Sequence, residues 1–274
     1  MSAATGLDHV GIVGTDVTML AAVFERLGFC LTPLAHHAGG RTGNRCVMLR
    51  DGGYLELLST INGGTSATLD RFLARYAGAH MAAFEIEDEA AAFARLRQVW
   101  PSVPDPYDTA RAIDAADPGG EQARFTLITP PDPPEGRFHL IRHATREALW
   151  QARFLNHPNN ALALTEFILT APQPATTAAW FSTLAGRPIT PDPLGGYVLD
   201  LRRGHVRFLP PNAAAALLGA GGAAARPGIA GITISTADAG AAIQALAAAR
   251  GIPSQQIGSA LLIEAGGVVL RFLC

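Results

Sequence analysis

The feature that most constrains this chain is an internal repeat. A strand, a helix and further strands recur in the same order four times along 274 residues. One such unit cannot bury its own apolar face, so repeated units fold by pairing with each other. In the first copy, residues 7–13 alternate in the manner of a strand. Asp16 suits the cap of a helix running to Leu27, and Gly28 stops it. A second strand is expected over 29–34. A Gly-rich turn over 36–44 leads to a strand over 45–50, and Asp51-Gly52-Gly53 makes a hairpin turn. Tyr54-Leu55-Glu56-Leu57-Leu58 closes the unit.

The second copy follows a linking helix over 65–77. It has a strand over 79–86, a helix over 87–100, strands near 107–113 and 124–129, and a closing strand over 137–143. The third copy places a strand at 164–169, a helix near 175–185 and strands near 197–201 and 206–209. The fourth places a strand at 229–234, a helix near 239–250 and a closing strand at 268–272. Residues 212–227 read as a loop or weak helix. The joint falls at residues 156–160, dividing the chain into halves 1–157 and 158–274. The fold class is therefore α+β, with four βαβββ-type units forming two curved-sheet halves.

Hydrophobic residues make up 49% and charged residues 16%, so the chain buries much of its surface and is not disordered. A formal net charge of -2 speaks against a nucleic-acid binder relying on a basic field. No apolar run is long enough to cross a membrane, and Met1 to Thr5 lack a secretory pattern; a cytoplasmic protein without membrane partners is expected. Three cysteines, Cys30, Cys46 and Cys274, are too few for a disulfide framework, and Cys30 and Cys46 read as buried strand residues.

Equivalent positions in repeated strands point to the same face. Aligning the copies puts His9, His80, Glu166 and Gly231 at one position. The glycines before the closing strands align Glu56 with His139, and His143 lies on the same face as His139. Pairing the first two units would gather His9, Glu56, His80 and His139 or His143 in one cleft. Imidazoles with one carboxylate suit Zn, Ni, Mn, Co or Fe. The second half has Glu166, Arg207, Gly231 and about Leu270 instead. Arginine has no lone pair to offer a metal, so a Glu166–Arg207 ion pair is the plainer reading there.

The βαβββ repeat, with His9 on the first strand and Glu56 on the last, resembles the vicinal oxygen chelate superfamily. His37-Ala38-Gly39-Gly40-Arg41-Thr42-Gly43-Asn44-Arg45 followed by Tyr54-Leu55-Glu56-Leu57-Leu58 resembles its glyoxalase-like domain group. The resemblance implies a divalent metal in a U-shaped sheet cleft, chelated by vicinal oxygens of a small-molecule substrate. It implies His9, Glu56, His80 and His139 as ligands, and unit pairing within one chain or across a homodimer.

Around these, His143 and His37 are candidate acid–base groups, since imidazole titrates near neutral pH. Arg41 and Asn44 on the Gly-rich turn, and Trp150 beyond the last strand, are candidate substrate contacts. The expected activity is that of a metal-dependent, glyoxalase-like lyase or isomerase. Ring-cleaving dioxygenation with Fe(II) or Mn(II) and metal-free capture of an antibiotic-type ligand are the alternatives.

Overall fold

The computed structural model describes residues 3–219, 221–223, 225–238 and 240–274. The first unit comprises β1 (Gly6–Val13), α1 (Val17–Arg26), β2 (Ala35–His36), β3 (Thr42–Met48) and β4 (Tyr54–Thr60). Helix α2 (Ala67–Leu73) leads to the second unit: β5 (Gly78–Glu85), α3 (Glu89–Val99), β6 (Tyr107–Ala112), β7 (Gln122–Ile128) and β8 (Arg137–His143). A short α4 (Arg146–Leu149) follows. The third unit is β9 (Ala161–Thr170), α5 (Pro174–Ala185), β10 (Ile189–Asp192), β11 (Gly196–Asp200) and β12 (His205–Leu209). After α6 (Pro211–Leu218) come β13 (Gly228–Thr236), α7 (Ala241–Ala249), β14 (Gln255–Ile257), β15 (Ala260–Ala265) and β16 (Val268–Leu273).

Local chemistry sets the element ends. The Asp16 carboxylate accepts from the Thr18 and Met19 amides at 2.7 and 3.0 Å, satisfying two donors that open α1. Val17, Leu20, Ala21 and Phe24 make the buried stripe of that helix. Gly28 then takes φ 81°, a conformation that favours glycine, and the chain leaves the helix.

The strands form two eight-stranded sheets, ordered β2-β3-β4-β1-β5-β8-β7-β6 and β10-β11-β12-β9-β13-β16-β15-β14. In the first, β1 and β5 run antiparallel at the centre, each parallel to the closing strand of its own unit. The first two units therefore pair within one chain. Helices of both halves share one core: Phe24 of α1, Leu96 of α3, Phe181 of α5 and Ile243 of α7 belong to a single apolar cluster. Val10, Ile12, Leu55, Leu57, Phe84 and Leu140 point into it. Alternation then turns His9, Glu56 and His139 to the opposite, concave face of the sheet.

Some expectations change. The strand expected over 29–34 is irregular chain. It is tied to β3 through Thr32, whose amide donates to the Cys46 carbonyl at 2.9 Å and whose hydroxyl accepts from the Cys46 amide at 2.9 Å. Pro33 has no amide proton with which to extend the ladder. Cys30 is accordingly half-buried and off any strand, whereas Cys46 is buried on β3. The segment read as loop or weak helix contains α6, but Ala220 and Ala224 lie outside the described residues. The helix expected from Ala239 runs Ala241–Ala249, and Ala239 too lies outside the described residues, as do Met1 and Ser2. Among the described residues no helix is long and apolar enough to cross a membrane.

Candidate functional site

The concave face of the first sheet encloses a cavity of about 350 Å³, within the range of small-molecule sites. His9, Glu56, His139 and His37 line it, with Tyr54, Met81, Arg111 and Arg137. Apolar walls come from Leu58, Leu69, Phe125, Leu127 and Ile141.

The geometry begins with a break in the β1 ladder. Leu7 pairs with Phe84 and His9 with Ala83, so Asp8 between them has no partner on β5. Such a bulge lets neighbouring side chains reach the same side. The Asp8 carboxylate, fully buried, accepts from His9 Nδ1–H at 2.8 Å and from His143 Nε2–H at 2.9 Å. Burial alone would raise its pKa, yet His143 and His9 hold it well below the carboxylate range. Burial acts to lower the His9 pKa, but the bond and charge of Asp8 and the charge of Glu56 leave it raised.

With Nδ1 bound to Asp8, the Nε2 of His9 faces the cavity, 3.8 Å from Glu56 Oε2. Glu56 Oε1 accepts from the Asn44 amide and from His37 Nε2, the latter at 3.3 Å. Burial opposes its charge, but His37, His9 and Asn44 hold the pKa well below normal, so the carboxylate stays ionised. His139 binds the Thr129 hydroxyl through Nδ1 at 2.8 Å. Burial, helped by the charges of His9 and Arg137, brings its pKa down to about 3, so it is neutral at physiological pH.

A second bulge decides the fate of His80. Gly11 pairs with Met81 and Ile12 with Ala79, leaving His80 unpaired on β5. Across the pseudo-twofold between β1 and β5, the unpaired Asp8 corresponds to the unpaired His80. Met81, paired to Arg137 of β8, corresponds to His9, paired to Tyr54 of β4. Thus Met81, not His80, occupies the position equivalent to His9 and lines the cavity. The His80 ring is stacked between Phe72 and Tyr76, at 4.8 and 4.1 Å, with its Nε2–H donating to the Tyr76 carbonyl at 2.8 Å. The same registers pair Gly11 with Glu56 and Ala83 with His139, so those two acid–base groups are equivalent.

Four other sequence candidates also stand elsewhere. His143 lies behind His9, its side chain 2% exposed and ringed by Tyr54, Phe125 and Trp150; it does not line the cavity. Trp150 packs edge-on to Tyr54 and donates its indole N–H to the Leu49 carbonyl, a structural position outside the cavity. Arg41 is exposed on the turn and does not line the cavity. Asn44 is buried and holds Glu56 rather than touching the cavity. Asp8, Met81 and Arg111 were not singled out from the sequence. Strict alternation would put Asp8 opposite His9, and no sequence signal announces the bulge. Arg111 had a faint signal, a cation in phase with Thr109 on β6 and with Ile113 just beyond it.

The donor set fits a divalent ion in kind, with two imidazoles, His9 and His139, and one carboxylate, Glu56. Asp8 supplies the carboxylate that orients a ligating histidine. Its assembly is partial: His9 and Glu56 face one another, but among the described residues no three His, Cys, Asp or Glu side chains stand close enough to hold an ion.

In the second sheet the equivalent positions carry an ion-pair cluster instead. Glu166, 2% exposed, is ion-paired with Arg207 at 3.2 Å, His205 at 2.9 Å and Arg271 at 3.3 Å. The fourth equivalent position is thus Arg271, which pairs with Thr233, and not Leu270, which is buried in the core. Helix α6 closes over Gly231: a Cβ there would lie 2.7 Å from Leu218 Cδ2.

This architecture is the vicinal oxygen chelate fold, and solved structures repeat it along the whole chain. A hypothetical protein from Staphylococcus aureus superposes with TM-score 0.69 at 15% identity, over 97% of this chain and 98% of that one. A mutant 4-hydroxymandelate synthase from Streptomyces coelicolor gives 0.62 at 13% identity, over 98% and 92%. A Mn(II)-bound glyoxalase from Novosphingobium aromaticivorans gives 0.56 at 12% identity, over 99% and 82%. The chain belongs to the glyoxalase-like domain family, whose model matches residues 7–185. No curated protein sequence matches it.

Proposed function

We propose that the first-half cavity is the active site of a divalent-metal-dependent lyase or isomerase of the glyoxalase kind, acting on a small vicinally oxygenated organic substrate. The observation that carries this reading is the pair His9 Nε2 and Glu56 Oε2, 3.8 Å apart at the cavity wall, with Asp8 fixing the imidazole from behind. His9, Glu56 and His139 would hold the ion, which when bound supplies Lewis-acid polarisation of a substrate oxygen.

The chain's own residues do the rest. Asp8 keeps the Nδ1 proton of His9 in place, so the free lone pair is at Nε2. Asn44 and His37 hold Glu56 ionised. His37 stands at the cavity mouth, partly exposed, with Nε2 against Glu56; it is positioned to pass a proton between substrate and solvent. Leu69, Phe125 and Leu127 keep water from the apolar side of a bound substrate.

The test is elemental mass spectrometry on protein purified without chelator, beside a His9→Ala/Glu56→Ala double variant. Close to one equivalent of Zn, Ni, Mn, Co or Fe in the parent, absent from the variant, is the expected result. No metal in either, with failed reconstitution, would sink the reading. A metal-free ligand-binding protein is the second reading. It is favoured by Glu56, which already accepts two hydrogen bonds, and by the incomplete donor cluster.

A further inference from the structure

Arg111 is a buried cation that still lacks an acid. Its residue is 7% exposed, on β6, and it lines the cavity together with His9, Glu56 and Tyr54. Guanidinium is charged at all accessible pH values, and a buried charge is costly unless it is paired. Among the described residues no carboxylate lies within ion-pair distance of it. Its one hydrogen-bond partner among the described residues is Cys46 Sγ at 3.9 Å, and burial pushes that thiol up to about 12, so the sulfur is neutral. The other cavity arginine is committed: Arg137 makes a forked pair with Asp132 at 3.0–3.2 Å and donates to Thr68.

The curl of the sheet explains how this cation arises. Strand β6 is the last strand of the sheet and β2 the first, yet Ala115 just beyond β6 donates to the Leu34 carbonyl just before β2 at 2.7 Å. The two edges meet, and Arg111 reaches from one edge to Cys46 of β3 near the other. Arg111 lines the cavity from there. The fork of a guanidinium matches a planar carboxylate through two parallel hydrogen bonds. Phe125, Leu127 and Ile141 on the neighbouring strands β7 and β8 provide an apolar bed beside it.

We propose that Arg111 binds the carboxylate of a small organic acid whose apolar body lies against Phe125 and Leu127. This rests on the cavity being a substrate site and names the substrate class, but it does not depend on a metal.

The experiment is calorimetric titration of the full chain with benzoate, phenylacetate and phenylpyruvate, and with benzamide as the uncharged match of benzoate. Each runs on chelator-treated protein and again with Mn(II), whose own binding is titrated separately. At least one acid should bind chelator-treated protein in the millimolar range or tighter, with benzamide at least roughly tenfold weaker than benzoate where benzoate is that acid. Arg111→Gln should lose that binding at least roughly tenfold, and Arg111→Lys should restore part of it. Circular dichroism checks that each variant folds; should both fail to fold, competition between that acid and its own amide on the parent protein decides. No binding by any of the acids, equal binding of an acid and its amide, or full binding to a folded Arg111→Gln would overturn the proposal. Inorganic phosphate binding in place of the acids, with the same dependence on Arg111, would overturn the carboxylate assignment. Carboxylate binding without Mn(II) binding would uphold this proposal and remove Mn(II) alone from the metalloenzyme reading, and Mn(II) binding without carboxylate binding would sink this proposal alone.

Discussion

Asp8 and His9 are sequence neighbours on a β-strand, yet the Asp8 carboxylate accepts the His9 Nδ1–H at 2.8 Å. Regular alternation would send the two side chains to opposite faces. The bulge at Asp8 removes that separation, and the freed carboxylate also takes the Nε2–H of His143. One buried carboxylate thus orients two imidazoles, one of which opens onto the cavity.

Asp8→Asn keeps the shape and removes the charge. It should cost about 1–3 kcal/mol of stability, because two buried imidazole N–H groups lose their ionised acceptor. It should also weaken divalent-ion binding by roughly 10–100-fold, the usual effect of losing a carboxylate behind a ligating histidine. Urea unfolding and Mn(II) titration read the two effects. Unchanged ion affinity with lowered stability would limit Asp8 to a folding role.

The registers make Met81 the counterpart of His9. Met81→His should therefore add a donor to the His9–Glu56 pair and raise Mn(II) affinity by at least roughly tenfold, about 1.4 kcal/mol. His80→Phe should leave ion affinity where it was. The opposite pattern would restore His80 as the ligand position.

His80 also predicts a pH dependence. Burial, with the charges of Arg75 and Arg226 acting in the same direction, lowers its pKa to about 4 against the opposing pull of the Tyr76 carbonyl. The unfolded chain then binds that proton more tightly than the folded one. The stability it contributes is complete above the unfolded value, near 6.5, and is lost as pH falls towards about 4. His80→Phe keeps a ring between Phe72 and Tyr76 and removes this loss. The variant should gain on the parent protein steadily between these two pH values in denaturant melts. Parallel stability curves would contradict the buried, neutral imidazole.

In the second half, Glu166 ties down three basic side chains of β12 and β16. Glu166→Gln should destabilise the fold by about 3 kcal/mol or more, because Arg207 and Arg271 lose a buried counter-charge. Mn(II) binding, measured well below the melting transition, should not change. A parallel loss of ion affinity would mean that the second sheet takes part in the site.

Much of the fold was readable in the chain. The cap at Asp16, the stop at Gly28 and the turn Asp51-Gly52-Gly53 are local signals, and each acts within a few residues. The Glu56–His139 equivalence was also legible, because glycine turns count the closing strands from a common start. The short outer strands β10, β14 and β15 were missed: β14 is exposed or half-exposed throughout, and β10 has one buried residue of its four, so neither carries a burial pattern to read. Of the site, His9, His37, Glu56 and His139 could be named from alternation and resemblance. His80 and His143 follow from the same alternation, and Trp150 from its place beyond the last strand, and all three stand elsewhere.

The sequence by itself determined the four units and the contrast between a first half rich in histidine and a second half holding Glu166 with Arg207. Those are properties of composition and period, which each segment carries alone. Only the tertiary structure decided which side chains face the cavity. A bulge shifts a strand by one residue, and with a period of two that shift exchanges its faces. Bulges at Asp8 and His80 brought Asp8 behind His9 and put Met81 where His80 was expected. The approach of the sheet's edges, which swings Arg111 across the cleft, likewise depends on residues far apart in sequence and exists only once all eight strands are paired.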